Sequence, residues 1–141
     1  MKNMILVIFF LSSLFAQFEI EGRWHLVGYE DAVMYQFEEN YRYSIYSIDG
    51  TFGSIDDGGG TPNPYTIIED IITIDLFFGH IVNYQMDYKC DGQVVEFKNP
   101  TNEVINSTLF RENYNYIDNE CDNHLEDCCE VAQLETDSCE G

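Results

Sequence analysis

Positive charge is scarce in this chain. Its 141 residues carry 6 Lys+Arg against 26 Asp+Glu, a formal net charge of −20. A surface this acidic repels phosphate backbones and anionic headgroups, which excludes sequence-independent nucleic-acid binding and attraction to anionic lipid while leaving calcium, cationic partners or a salty medium open. Long apolar runs are scarce too. The longest, residues 4–11, falls well short of the roughly twenty residues a helix needs to span a bilayer, which argues against stable membrane insertion. Enzyme signatures are missing: there is no G-x-S-x-G elbow, no H-E-x-x-H, no G-x-x-x-x-G-K-[ST] loop and no G-x-G-x-x-G after a strand. The Gly58-Gly59-Gly60 run lacks the strand-to-helix context that cradles phosphate. With 26 carboxylates, some pair falls at glycosidase distance by chance, so such a pair carries no information. His25 lies on the face opposite Trp24 and Leu26, and His80 opens a strand; both read as surface or strand-end residues and not as bases. The expectation is a non-enzymatic protein with no cofactor and no catalytic metal.

Hydrophobic residues make up 45% of the chain and aromatics 15%, too rich for disorder and enough for one domain with a real core. Residues 1–16 stand apart. A short start containing Lys2, the apolar run and the small residues around Ser12, Ser13 and Ala16 read as a secretory signal cut after Ala16, hence a secreted or periplasmic mature chain of residues 17–141. Within that chain the character changes at Arg111. Residues 17–111 hold 16 acids and 5 bases and form the domain; residues 112–141 hold 10 acids and no base, an acidic Cys-bearing extension.

Period-two alternation dominates the domain. In residues 80–90, Val82, Tyr84, Met86, Tyr88 and Cys90 share one face and Asn83, Gln85, Asp87 and Lys89 the other. Asp91-Gly92 reads as a two-residue hairpin turn returning into residues 93–98, and Asp49-Gly50 as a second such turn between 41–48 and 51–55. Further strands are expected over 24–29, 33–37, 65–68, 71–78 and 107–111, with Glu69-Asp70 as another tight turn and 58–64 as an exposed loop. Eight or nine short strands without a helix predict an all-β, antiparallel up-and-down barrel of about eight strands, whose closure removes exposed edges.

Three signals, Gly22-Arg23-Trp24 opening the first strand, Tyr35-x-Phe37 followed by Asp49-Gly50-Thr51-Phe52, and the closing Thr108-Leu109-Phe110-Arg111, resemble the bacterial lipocalin-like family of the calycin group over residues 20–111. The resemblance implies that Trp24 plugs the closed end of the barrel and that the Arg111 side chain lies across it, a structural pair. A guanidinium on an indole is worth about 0.5–2 kcal/mol, and its other donors can reach strand-end carbonyls.

The inward faces expected of this barrel are Leu26, Tyr35, Phe37, Tyr43, Ile45, Phe52, Ile72, Ile74, Val82, Tyr84, Met86, Tyr88, Val95 and Phe97. Tyr35, Phe37, Tyr43, Phe52, Ile74, Tyr84, Met86, Tyr88 and Phe97 would contact a small apolar or amphipathic ligand. The same residues suit a filled core, and an eight-stranded barrel allows either. Two functions therefore stand: a secreted binding module for such a molecule, or a structural or interaction protein with a filled barrel whose acidic tail meets a basic protein, calcium or another divalent cation.

Five cysteines complete the sequence signals: Cys90 at the end of a barrel strand and Cys121, Cys128, Cys129 and Cys139 in the extension. Export favours disulfides, with at least four of the five oxidised, Cys128 and Cys129 not joined to each other, and Cys90 either the leftover buried thiol or the anchor of the tail. A short helix with Cys121, Leu125, Cys128, Cys129 and Ala132 on one face fits the tail, with Asn123 and Glu126 as its N-terminal cap. Zinc at Cys121, His124, Cys128 and Cys129 competes but has crowded spacing. Asp118, Glu120, Asp122 and Glu126 mimic a calcium loop without its glycine and final Glu, and Asp56-Asp57 is a second weak calcium candidate. Asn106-Ser107-Thr108 matches a glycosylation acceptor.

Overall fold

A computed structural model describes residues 18–57 and 60–117. Eight strands form a closed antiparallel barrel in strict sequence order, β1 (Gly22–Leu26), β2 (Val33–Glu38), β3 (Tyr41–Tyr46), β4 (Asn63–Ile68), β5 (Ile71–Asp75), β6 (Ile81–Lys89), β7 (Val94–Lys98) and β8 (Ile105–Arg111), with β8 returning to β1. This is the all-β up-and-down barrel that the alternation predicts. The tail cysteines, the expected tail helix, the zinc and calcium-loop candidates there and the signal segment lie outside the described residues.

Cross-strand registers settle which side chains point inward. Trp24 pairs with Tyr35 and with Arg111, Tyr65 with Ile74, Ile72 with Tyr84, Met86 with Phe97 and Val95 with Leu109, so one continuous inner face runs around the barrel. Its closed-end half is filled: Trp24, Phe37, Tyr65, Ile72, Ile74, Met86, Val95, Phe97 and Leu109 are buried in one cluster with Ile20. Tyr84 stacks on Phe97 with centroids 5.5 Å apart, and Phe37 meets Tyr65 edge-on at the same separation. Such pairs add about 0.5–1.5 kcal/mol beyond area burial.

Several expectations need correction, beginning with the 58–64 loop, whose last two residues belong to β4. Residues 51–55 do not form a strand. The Asp49-Gly50 turn forms with both residues at positive φ, but pairing stops after a single Ile48–Thr51 bridge. The β6–β7 connection is longer than two residues, because Lys89 pairs with Val94 and residues 90–93 form the loop. Cys90 therefore leaves the strand and sits at φ 51 in a short 3-10 turn, and it is not a free thiol. Tyr43 and Ile45 face outward, because the two-residue turn Glu39-Asn40, both at positive φ, places Glu38 opposite Tyr41 on the outer face. Arg42 and Ser44 thereby face inward. Phe52 is also outside, packed edge-on to His25 at 5.5 Å.

That outer placement has its own logic. Ile45, Met34, His25, Phe110 and Val94 are successive cross-strand neighbours from β3 to β7, and all but His25 are buried. Phe110 stacks on His25 at 5.1 Å, and Tyr116 stacks on Phe110 at 5.0 Å. The Glu112 N–H donates to the Arg23 carbonyl, and the Arg23 side chain pairs with the Glu112 carboxylate at 3.2 Å. Residues 112–117 thus start the extension by packing back on the barrel wall.

Candidate functional site

The closed end is built as the Trp24–Arg111 pair requires. Trp24 is fully buried, its Nε1 donates to the Ile20 carbonyl at 2.7 Å, and the Arg111 Cζ lies 4.0 Å above the indole. Arg111 donates from Nη2 to the Glu19 carbonyl at 2.7 Å and from Nη1 to the Glu21 carbonyl. Gly22 leaves room for this: its φ is +114, and a Cβ there would stand 2.6 Å from Arg111 Nη1. The G-x-W spacing is thus a steric statement, with the glycine admitting the arginine that covers the tryptophan.

Away from that plug the interior changes. Leu26, Tyr35, Ser44, Val82 and Tyr84 also face inward yet remain half-buried, so the barrel keeps solvent access toward its other end. Arg42 projects into this part. Its Cζ sits 4.8 Å over the Tyr35 ring, and its Nη2 donates to Asn63 Oδ1 at 2.8 Å. Asn63 is itself fixed, donating from Nδ2 to the Asp75 carbonyl at 2.9 Å. The Arg42 Nε is buried without a hydrogen-bond partner among the described residues. Burial pushes the guanidinium below its ordinary pKa, and the phenols of Tyr35, Tyr84 and Tyr46 act in the opposite direction. Even so, an arginine stays charged across the physiological range. The arrangement is a cation ringed by phenols, with one donor unused.

The barrel wall is short of pairing on this side. β3 and β4 pair only through Tyr41–Pro64 and Arg42–Asn63, so the wall parts beyond Arg42. A cleft of about 240 Å³ lies at that seam, lined by Tyr43, Ser44, Tyr46, Ile55, Thr61 and Asn63 among others; Arg42 is not part of its lining. Exposed apolar side chains, including Tyr29, Ile48, Phe78, Ile81 and Val104, crowd the loops and strand starts of the same end.

Of the expected ligand-contact residues, Tyr35 and Tyr84 belong to the solvent-accessible part of the interior. Phe37, Ile74, Met86 and Phe97 belong to the filled half, and Tyr88 lines the closed end. Phe52 lies on the outer face, as does Tyr43, which lines the seam cleft beside Ser44. Arg42, which sequence alternation assigned to the solvent side, is the polar centre of the interior. Asp57 is used locally, accepting from the Ser54 N–H at 3.0 Å and from the Ser54 hydroxyl, contacts that lower its pKa. Among the described residues no group of three or more His, Cys, Asp or Glu side chains is placed to hold a metal, and no helix is long and apolar enough to cross a membrane. The chain matches no family model, no curated protein and no solved structure.

Proposed function

We propose that this chain is an exported, non-enzymatic lipocalin-like protein that holds one small amphipathic molecule in the open half of its barrel. The observation that carries the reading is Arg42. Arg42 is a half-buried side chain whose Nε donor is buried with no acceptor among the described residues, and an anionic or strongly accepting ligand group would complete it. Tyr35 and Tyr84 would flank that polar group, and Leu26 and Val82 would meet an apolar body. The exposed apolar side chains at the same end suit the entry of such a molecule.

Native mass spectrometry of the protein purified from its source tests the class, and the expected result is a retained small molecule. Titration with a medium-chain fatty acid and with the alcohol of equal length tests the chemistry. The acid should bind about tenfold or more tighter, and Arg42→Met should remove that preference. No retained molecule together with no saturable binding of either probe would refute the reading.

A further inference from the structure

The closed end carries a second cavity of different character. β4 runs past the start of β3: only Asn63 and Pro64 pair with it and the Tyr65 N–H donates to the Asn40 carbonyl, so residues 66–70, paired on their other side with β5 and β6, extend the wall beyond β3. The strap of residues 18–21, held by Trp24 and Arg111, crosses the same end. Between them lies a cleft of about 590 Å³, within the range of small-molecule sites. Its aromatic walls are Phe18, Tyr65 and Tyr88, and Ile20, Ile67 and Met86 add apolar surface. Phe18 is seated deliberately: its ring occupies the space a side chain at Gly92 would take and lies 5.7 Å from the Tyr88 ring.

The polar lining is almost entirely negative. Glu19, Glu21, Glu69 and Asp70 border the cleft together with Asn40. Asp70 accepts from Gln85 at 2.9 Å, whereas the carboxylates of Glu19, Glu21 and Glu69 have no ion-pair partner among the described residues. Their field reaches the walls: after burial, Glu21 helps raise the Tyr65 phenol, while at Tyr88 burial raises the phenol, Arg111 opposes it and Glu19 adds a smaller rise. Arg111, the nearby cation, keeps its charge while bonded to two carbonyls and the indole face, and Glu19 acts on it directly, which leaves Glu21 and Glu69 to balance a second cation. Tyr65 is only 4% exposed, and a hydrogen bond with the Asn40 backbone acts on its phenol.

We propose that this closed-end cleft binds an organic ammonium ion, its charged head between Phe18, Tyr65 and Tyr88 and its charge balanced by Glu21 and Glu69. Aromatic faces attract a methylated ammonium through their quadrupoles and do not require it to donate hydrogen bonds, whereas a hydrated metal ion would gain little from three rings. The carboxylates supply the long-range attraction that draws a cation to this end. The site is independent of Arg42, whose charge repels the same ligand class.

Calorimetric titration of the full mature chain with choline, and with its uncharged carbon isostere 3,3-dimethylbutanol, tests the proposal. Choline should bind saturably at one site, about tenfold or more tighter than the isostere. Glu21→Gln combined with Glu69→Gln should weaken choline about fivefold or more, and Phe18→Ala should do the same without removing a charge. Glu103→Gln, a remote acid, should leave it unchanged. Equal binding of the isostere, a loss at Glu103→Gln as large as at the site, or no saturable choline binding would each overturn the proposal. Fatty-acid binding is unaffected by any of these outcomes, so failure here is distinct from failure of the Arg42 reading.

Discussion

Replacing Arg111 with Met keeps the aliphatic length over the Trp24 indole and removes the charge and its donors. Three interactions disappear: the stack at 4.0 Å, and the hydrogen bonds to the carbonyls of Glu19 and Glu21. A partly exposed cation on an indole is worth about 0.5–1 kcal/mol, and each hydrogen bond contributes about 0.5–1.5 kcal/mol net. Their sum is about 1.5–4 kcal/mol, which for a domain of this size lowers Tm by roughly 10 °C or more. Trp24 is the only tryptophan in the chain, so its fluorescence during urea unfolding reports on the site under test. The double variant with Trp24→Phe isolates the stack, with an expected coupling of about 0.5–1 kcal/mol, all four proteins of the cycle being followed by far-ultraviolet circular dichroism because Trp24→Phe removes the fluorophore. A loss below about 0.5 kcal/mol for Arg111→Met would mean that the guanidinium merely covers the surface, and the account of the closed end would be wrong.

Truncation after Ile117 should leave stability within about 0.5 kcal/mol of a chain whose tail is not cross-linked, whereas truncation after Arg111 removes Tyr116 from Phe110 and Glu112 from Arg23 and should cost about 1–3 kcal/mol in chemical unfolding. Burial raises the Tyr88 phenol to about 12. The unfolded chain therefore loses this proton first, so stability should be intact below about pH 10 and fall as pH rises from there toward 12; Tyr88→Phe should flatten that decline in urea melts. Thiol titration under denaturing conditions, with and without reductant, should find at least four of the five cysteines oxidised; five free thiols would remove the basis for assigning export.

The barrel was legible because most of its strands obey one rule. β6 alternates so cleanly that its inner residues Val82, Tyr84, Met86 and Tyr88 can be named from the sequence, and Asp49-Gly50 announces a turn that does form. The failures share a cause in the outer face. Ile45, Met34 and Phe110 are buried on the outside, where Phe52 packs on the neighbouring His25 and Tyr116 stacks on Phe110, so hydrophobicity no longer marks the inward side. In β3 the alternation Tyr41, Tyr43, Ile45 points the wrong way for that reason. Turn chemistry could have corrected it: once Glu39-Asn40 is recognised as a two-residue turn, inward Phe37 forces Arg42 opposite it to face inward as well.

The two inward arginines show how the same side chain takes opposite roles in one barrel. Residues 17–141 contain five bases, and a chain with a net charge of −20 has ample acid on its surface to pair with all of them. Arg111 and Arg42 instead lie over aromatic rings inside the barrel, at 4.0 and 4.8 Å. They differ in what their donors meet. Arg111 is held to backbone carbonyls that the fold itself supplies, so its contribution is complete without any other molecule and is read as stability. Arg42 has one hydrogen bond to Asn63 and a buried Nε that the described residues leave unmatched, in the half of the interior that stays accessible. An unmatched buried donor lowers stability by about 1–3 kcal/mol. On the proposed reading an entering acceptor removes that deficit, so Arg42 would add stability to the barrel only with a guest bound.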